Sequence, residues 1–242
     1  MLNVILLPGL DGSGTLFSPF LEKVPEWANP IVIPYALDKV QDYDELTNFI
    51  FKSINQEQPY ILVGESFSGP VALLVAAKSP KNLVGVVLCA SFVTNPRPLL
   101  SSLFFPKLFR FFLSKTPPTW IIRSYLTGPD SSPELVKATI STIKSVSPDV
   151  LAARLAMVMS VDVSRSLENC SAPLLYICAN QDKLVPSKAL AFIQDTKPDI
   201  SVSRIDGPHF IAQTQPGKVW QEISRFVEKI SPKNKAHFNL FS

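Results

Sequence analysis

Residues 60–74, Tyr-Ile-Leu-Val-Gly-Glu-Ser-Phe-Ser-Gly-Pro-Val-Ala-Leu-Leu, join an apolar run to a turn of small residues and a second apolar run. The first run predicts a buried strand and the second a buried helix. A serine nucleophile on such a sharp turn needs small residues two positions before and after it, because backbone packs against backbone there. Gly64 and Ser68 are both small, so Ser66 is a candidate nucleophile. The alternative is a glycine-serine turn in a doubly wound fold.

Short apolar runs bounded by turn residues recur along the chain and alternate with helical patterns. The predicted strands are Asn3–Leu7, Pro30–Pro34, Tyr60–Gly64, Leu83–Ala90, Leu174–Ala179 and Ile200–Ile205. Their residues hardly alternate between apolar and polar, which is typical of strands buried on both faces. Because strands and helices alternate, we expect an α/β fold with a parallel sheet that carries helices on both faces.

Residues 96–167 interrupt this alternation and are too many for an ordinary crossover. We call them the cap segment and expect a mostly helical cap over Ser66. Ser132-Pro-Glu and Ser147-Pro-Asp each place a capping hydroxyl before a proline and an acid, which predicts two helix starts. We therefore predict a core of residues 1–95 and 168–232, a cap of residues 96–167 and a loosely held tail of residues 233–242.

A serine hydroxyl needs a base to accept its proton and a further group to orient that base. The chain has two histidines, and His237 lies in the tail. His209 follows the last predicted strand in Asp-Gly-Pro-His-Phe, where a turn can present an imidazole at the sheet edge. Asp182 follows the fifth predicted strand, whereas Asp206 is too close to the histidine in sequence to reach behind its ring. We predict Asp182 as the orienting acid.

The order Ser66, Asp182, His209 and four loop motifs resemble the α/β-hydrolase superfamily. The motifs are L-P-G-L-D-G-S-G at residues 7–14, G-E-S-F-S-G at 64–69, N-Q-D-K-L-V-P at 180–186 and G-P-H-F at 207–210. The resemblance implies a shortened, all-parallel sheet of about six strands in the order 2-1-3-4-5-6. It also implies an oxyanion hole formed by the backbone N–H groups of Leu10 and Phe67. Proline at position 8 departs from the histidine that is usual in the family.

Residues 96–128 of the cap segment carry five basic residues, no acid and a cluster of phenylalanines. The rings of Phe104, Phe105, Phe109 and Phe112 are candidates for an apolar acyl-binding pocket. The alternative is that these rings pack the cap onto the core. The basic residues around them are Arg97, Lys107, Arg110, Lys115 and Arg123. Their charge suggests transient contact of the cap segment with an anionic membrane surface.

Composition excludes several other classes of protein. The 242 residues are 46% hydrophobic with a net charge of +3, which excludes disorder and gives no wide basic surface for nucleic acid. The three cysteines have no C-x-x-C spacing and are expected to be buried thiols. We expect neither a leader nor a membrane span, which together with the thiols predicts a cytoplasmic protein. Because a serine mechanism requires neither, we also expect no metal and no cofactor. The oligomeric state is left open.

The resemblance implies a serine hydrolase that cleaves a hydrophobic carboxylic ester or thioester through an acyl-enzyme. An acyltransferase would use the same acyl-enzyme with an alcohol acceptor, and the loop and elbow motifs resemble a lipase-like subgroup that includes plastid acyltransferases. Iminopeptidase chemistry also stays open. A non-catalytic binding protein of the same fold would be expected to lack part of the Ser-Asp-His set.

Overall fold

The computed structural model describes residues 1–98, 110 and 114–230 of the chain. Six strands form one sheet in the order β2-β1-β3-β4-β5-β6, and every neighbouring pair is parallel. They are β1 (Leu2–Leu7), β2 (Ala28–Val32), β3 (Tyr60–Glu65), β4 (Leu83–Cys89), β5 (Leu174–Ala179) and β6 (Ser201–Ile205). The expected α/β-hydrolase fold with an all-parallel sheet of six strands is confirmed.

Helices connect the strands and cover both faces of the sheet. In the described residues they are α1 (Ser18–Leu21), α2 (Tyr43–Ser53), α3 (Ser68–Ala77), α4 (Thr119–Ile122), α5 (Pro133–Ser145), α6 (Pro148–Ser160), α7 (Ser164–Glu168), α8 (Ser187–Thr196), α9 (Ile211–Thr214) and α10 (Pro216–Ile230). The described residues also contain a 3₁₀ turn at Thr15–Phe17 and a π-helical turn at Arg123–Thr127. Helices α2, α3, α7 and α8 bury apolar side chains on one face of the sheet, and α1, α9 and α10 bury theirs on the other.

The two edge strands differ from the sequence-based prediction. Strand β2 spans Ala28–Val32, two residues earlier than predicted. Neither edge strand is buried on both faces: Asn29 and Ile31 of β2 are exposed, and in β6 Arg204 is exposed and the three residues before it are half-buried. An edge strand has a partner on one side only, so it tolerates Pro30 and exposes part of its surface. The central strands β1, β3 and β5 are almost wholly buried.

The cap segment between β4 and β5 contains the two predicted helix starts. The hydroxyl of Ser132 accepts from the Leu135 N–H at the start of α5, and that of Ser147 accepts from the Asp149 N–H at the start of α6. The two ends of the segment are held side by side by an antiparallel bridge between Thr94 and Asp162. The division into core, cap and tail domains stays a prediction.

Other sequence-based expectations concern single side chains and membrane crossing. Cys89 and Cys170 are buried free thiols, but Cys178 is partly exposed because its thiol faces the exposed side chain of Arg204 on the edge strand β6. Across the three described ranges, no helix has both the length and the apolar composition needed to cross a bilayer.

Candidate active site

Ser66 lies in the sharp turn between β3 and α3 and has a φ of 48°. A side-chain-bearing residue adopts this left-handed conformation at an energetic cost, so the surrounding structure must impose it. The Ser66 N–H donates to the Cys89 carbonyl at 2.9 Å, and its carbonyl accepts from the Ser91 hydroxyl at 2.6 Å. A Cβ atom at Gly64 would lie 2.5 Å from the Ser68 carbonyl oxygen, which explains the need for a small residue there.

The three residues predicted from sequence meet at the carboxyl edge of the sheet. His209 Nε2 lies 2.9 Å from Ser66 Oγ, and His209 Nδ1 lies 2.7 Å from Asp182 Oδ2. The side chains of His209 and Asp182 are each 4% exposed, so water competes little for this contact. With the proton on Nδ1 donated to Asp182, Nε2 is free to accept the proton of the serine hydroxyl.

Asp182 is held by its own loop, and Asp206 lies elsewhere. The second carboxylate oxygen of Asp182 accepts from the backbone N–H groups of Leu184 at 2.8 Å and Val185 at 2.9 Å. Asp206 is exposed, and its carboxylate accepts from the Asn180 side chain at 2.5 Å. The loop therefore directs the Asp182 carboxylate at the imidazole of His209. The Asp206 carboxylate bonds Asn180 instead of the imidazole.

The two residues expected to form an oxyanion hole border the nucleophile. Leu10 and Phe67 line the same cavity as Ser66 and His209. Neither the Leu10 nor the Phe67 backbone N–H donates to an acceptor among the described residues. Two N–H groups that have no acceptor among the described residues and lie next to a serine nucleophile are suited to receive a developing negative charge.

Ser68 ties the nucleophile turn to the loop that contains Leu10. Its hydroxyl is fully buried, donates to the Pro8 carbonyl oxygen and accepts from the Tyr35 hydroxyl at 2.5 Å. The sequence identified Ser68 only as a small residue in place of glycine. Its second role was not apparent, because no pattern in the sequence places Tyr35 or the Pro8 carbonyl beside it.

Glu65, directly before the nucleophile, is a buried carboxyl group that the sequence analysis did not single out. Its side chain accepts from Gln213 Nε2 at 2.8 Å, and the residue is 6% exposed. Burial raises the pKa of the Glu65 carboxyl from 4.5 to about 7, although hydrogen bonds from Gln213 and the Gly9 backbone favour the charged form. The only sequence signal was a charged residue at the end of an otherwise apolar strand.

A cavity of about 570 Å³ opens beside Ser66 between the sheet edge and the cap segment. Its described apolar lining comes from both parts of the chain and includes Leu16, Phe92, Leu126, Ile143, Leu151, Leu155, Val158, Met159, Val185 and Phe210. The rings predicted to bind substrate, Phe104, Phe105, Phe109 and Phe112, lie outside the described residues, as does His237. The described cap residues that line the cavity belong to the start of the segment, at Pro96 and Arg97, to the π-helical turn Arg123–Thr127 and to helices α5 and α6.

The family described as serine aminopeptidase, S33, matches residues 31–207. This range spans most of the chain, including Ser66 and Asp182, and ends two residues before His209. The chain belongs to this family of α/β hydrolases and is a hydrolase. No curated protein sequence is significantly similar to it.

Solved structures share the fold at low sequence identity. A lipase-esterase related protein from Clostridium acetobutylicum is 20% identical, with 93% of each chain covered and a TM-score of 0.74. A thermophilic esterase from Thermogutta terrifontis is 21% identical over 95% of this chain and 90% of its own, with a TM-score of 0.73. A proline iminopeptidase from Mycobacterium smegmatis is 16% identical over 97% and 91%, with a TM-score of 0.71. At these identities the likeness concerns the fold alone.

Proposed function

We propose that the protein is a serine hydrolase that cleaves an apolar carboxylic ester or thioester through an acyl-enzyme. The observation that carries this proposal is the hydrogen-bonded series Ser66, His209, Asp182 beside an apolar cavity. A hydroxyl, a neutral imidazole and a buried carboxylate in this order are the groups that acyl transfer through serine requires.

The first half-reaction forms the acyl-enzyme. Ser66 Oγ attacks the substrate carbonyl carbon while its proton passes to His209 Nε2. Asp182 accepts a hydrogen bond from His209 Nδ1 and stabilises the imidazolium that results. Collapse of the tetrahedral intermediate breaks the bond to the leaving alkoxide or thiolate, which takes the proton from Nε2 and departs as the alcohol or thiol.

The second half-reaction returns the enzyme to its starting state. Water loses a proton to His209 Nε2 and adds to the acyl carbonyl carbon, and the Ser66 oxygen leaves with that proton as the acid is released. In both halves the carbonyl oxygen becomes an oxyanion. The N–H groups of Leu10 and Phe67 are the proposed donors to it.

The cavity lining favours an apolar acyl group over a free amine. Two acids, Asp11 and Glu65, line the described part of the cavity, together with the cations Arg97 and Lys183. Asp11 accepts through one oxygen from the N–H and hydroxyl of Ser13, and Glu65 accepts from Gln213. Most of the remaining lining is apolar and would strip a substrate ammonium group of its water, so an ester fits this lining better than an amino-terminal peptide.

A panel of p-nitrophenyl esters from acetate to dodecanoate tests the proposal, with Ser66→Ala as the control. We expect hydrolysis that rises in kcat/KM from acetate to a medium or long chain, and no turnover by the control. Absence of turnover on every ester by the folded native protein would contradict the proposal.

The same panel with an added alcohol separates hydrolysis from acyl transfer. The acyl-enzyme releases a free acid if water attacks it and a new ester if an alcohol does so, and chromatography of the products distinguishes the two. We expect the free acid to predominate. A new ester as the main product at millimolar alcohol would assign the protein as an acyltransferase, and cleavage of proline amides in preference to esters would assign it as an iminopeptidase.

A further inference from the structure

Arg154, on helix α6 of the cap segment, lies buried against the loop that contains Leu10. Its guanidinium donates to the carbonyl oxygens of Leu10 at 3.0 Å, Asp11 at 2.7 Å and Ala36 at 2.8 Å. The residue is 2% exposed, although arginine is among the residues least often buried. A side chain that only filled space here would be less costly as leucine or methionine.

The buried charge has no carboxylate in direct contact among the described residues. The Asp11 carboxylate, which belongs to the same loop, accepts instead from Ser13. Burial lowers the pKa of the Arg154 guanidinium, and the group still remains charged because an arginine starts so far above neutral pH. Three backbone carbonyls therefore provide the compensating dipoles, and this makes the position of the loop depend on the guanidinium.

The same guanidinium lies over two aromatic rings, and one of them belongs to Phe67, the second proposed oxyanion donor. Its central carbon lies 6.0 Å from the centre of the Phe67 ring and 5.6 Å from that of Tyr35. A Cβ atom at Gly12 would lie 2.4 Å from Arg154 Nη1, which is too close for any side chain. The loop therefore packs tightly against the Arg154 side chain at this glycine. One cap side chain thus binds the Leu10 carbonyl and lies over the Phe67 ring, and these are the two residues whose N–H groups are the proposed oxyanion donors.

We propose that Arg154 is a positioning residue that binds the Leu10 and Asp11 carbonyl oxygens, thereby fixes the loop whose Leu10 N–H is the proposed oxyanion donor, and couples the cap helix α6 to the oxyanion hole. The inference rests on the proposed serine hydrolase function. It follows that the geometry of the hole depends on the contact between α6 and the loop, so a substitution that breaks this contact lowers turnover.

The experiment compares Arg154→Met and Arg154→Lys with Val150→Ala in steady-state ester hydrolysis. Val150 lies on the same helix, is buried in a small apolar cluster and does not line the cavity. A misplaced oxyanion donor costs turnover more than substrate binding, so we expect Arg154→Met to lower kcat about 30- to 100-fold with KM within about threefold. We expect a smaller loss in Arg154→Lys and an unchanged kcat in Val150→Ala.

Two further readouts separate positioning from folding. A trifluoromethyl ketone that adds to Ser66 forms an oxyanion, so its inhibition constant should rise in Arg154→Met in proportion to the loss in kcat/KM. Millimolar ethylguanidinium should restore part of the kcat of Arg154→Ala, because it can refill the vacated site. Thermal unfolding identifies any variant that is simply destabilised.

The outcomes are distinguishable from failure of the proposed function itself. If Ser66→Ala retains activity, the hydrolase mechanism is wrong, whatever Arg154 does. If Ser66→Ala is inactive and folded Arg154→Met and Arg154→Lys keep the native kcat and the native affinity for the ketone, the positioning role is wrong. A kcat loss in Val150→Ala that matches that of Arg154→Lys at equal loss of Tm would also contradict it.

Discussion

Gln213 donates a hydrogen bond from Nε2 to Glu65 Oε1 at 2.8 Å, and Glu65 directly precedes the nucleophile Ser66. This contact is fully buried, yet burial raises the pKa of the Glu65 carboxyl to about 7 in spite of it. A carboxyl group that changes charge near neutral pH therefore lies next to the proposed catalytic serine.

Glu65→Gln is expected to change how stability depends on pH. In the unfolded chain the carboxyl loses its proton near its ordinary pKa of 4.5, whereas in the folded protein it keeps the proton up to about pH 7. The folded state thus binds more protons in this window, so its stability falls as pH rises from about 4.5 to 7. The free energy of unfolding, measured with urea at intervals from pH 4.5 to 8, should fall less steeply with pH in Glu65→Gln than in the native protein.

Glu57→Gln is the matched control for this prediction, because Glu57 is exposed. Its stability profile should have the same slope as that of the native protein. If the free energy of unfolding of Glu65→Gln and that of the native protein change with pH in parallel, Glu65 does not keep its proton up to about pH 7 in the folded protein, and the prediction is wrong.

Loss of the proposed nucleophile or base should abolish turnover without unfolding the protein. Ser66→Ala and His209→Ala are each expected to lower kcat by roughly 10³- to 10⁶-fold, because the remaining groups cannot replace a serine-histidine pair. Steady-state ester hydrolysis measures the loss, and circular dichroism checks the fold. Activity in folded His209→Ala that stays within tenfold of native would contradict the proposed base.

The choice between the two acids can be tested by matched amide substitutions. Asp182→Asn should lower kcat by up to about 10⁴-fold, because an amide favours the wrong histidine tautomer. Asp206→Asn should leave kcat within about threefold, since this exposed carboxylate bonds Asn180 and makes no contact with the imidazole. A larger loss in Asp206→Asn than in Asp182→Asn would reverse the assignment.

Ser68 is expected to contribute both to stability and to the position of the Pro8 loop. Ser68→Ala leaves the Pro8 carbonyl and the Tyr35 hydroxyl without this buried partner, so unfolding free energy should fall by about 1–3 kcal/mol. Tyr35→Phe removes only the second contact, so its kcat should fall less than that of Ser68→Ala. Urea unfolding and ester hydrolysis measure the two effects, and equal kcat in both variants would show that the Pro8 contact is irrelevant to turnover.

Filling the cavity from α6 should change the preference for acyl chain length. Leu155 lines the cavity, so Leu155→Trp should lower kcat/KM for octanoate relative to acetate by about 10- to 100-fold. Ser160→Trp adds the same ring at an exposed position of the same helix and should leave the ratio unchanged. Equal losses on both esters in Leu155→Trp would mean that the acyl group binds elsewhere.

The strands and the positions of Ser66, Asp182 and His209 could be predicted because each depends on a local pattern, whereas the strand order came from the family resemblance. A buried strand and its following turn place a residue such as Asp182 at the carboxyl edge wherever the strand lies in a parallel sheet. The capping patterns at Ser132 and Ser147 are equally local, and both helices start where predicted. The start of β2 was less predictable, because an edge strand lacks the continuous apolar run of a central one.

The groups that support the site depend on contacts between distant parts of the chain. Arg154 is more than 140 residues from Leu10, and its acceptors are backbone carbonyls, which every residue has. Ser68 and Tyr35 likewise meet only once the sheet has formed. Periodicity and motifs carry no information about such contacts, so these residues become visible only in the folded structure.

The most direct test of the central claim is covalent labelling with a fluorophosphonate probe, followed by peptide mass spectrometry. Such probes react with a serine whose proton a neighbouring base accepts, so the adduct identifies the nucleophile itself. We predict a single major adduct on Ser66 in the native protein, strongly reduced labelling in His209→Ala and none on residue 66 in Ser66→Ala. An unlabelled Ser66 peptide from folded native protein would contradict the account.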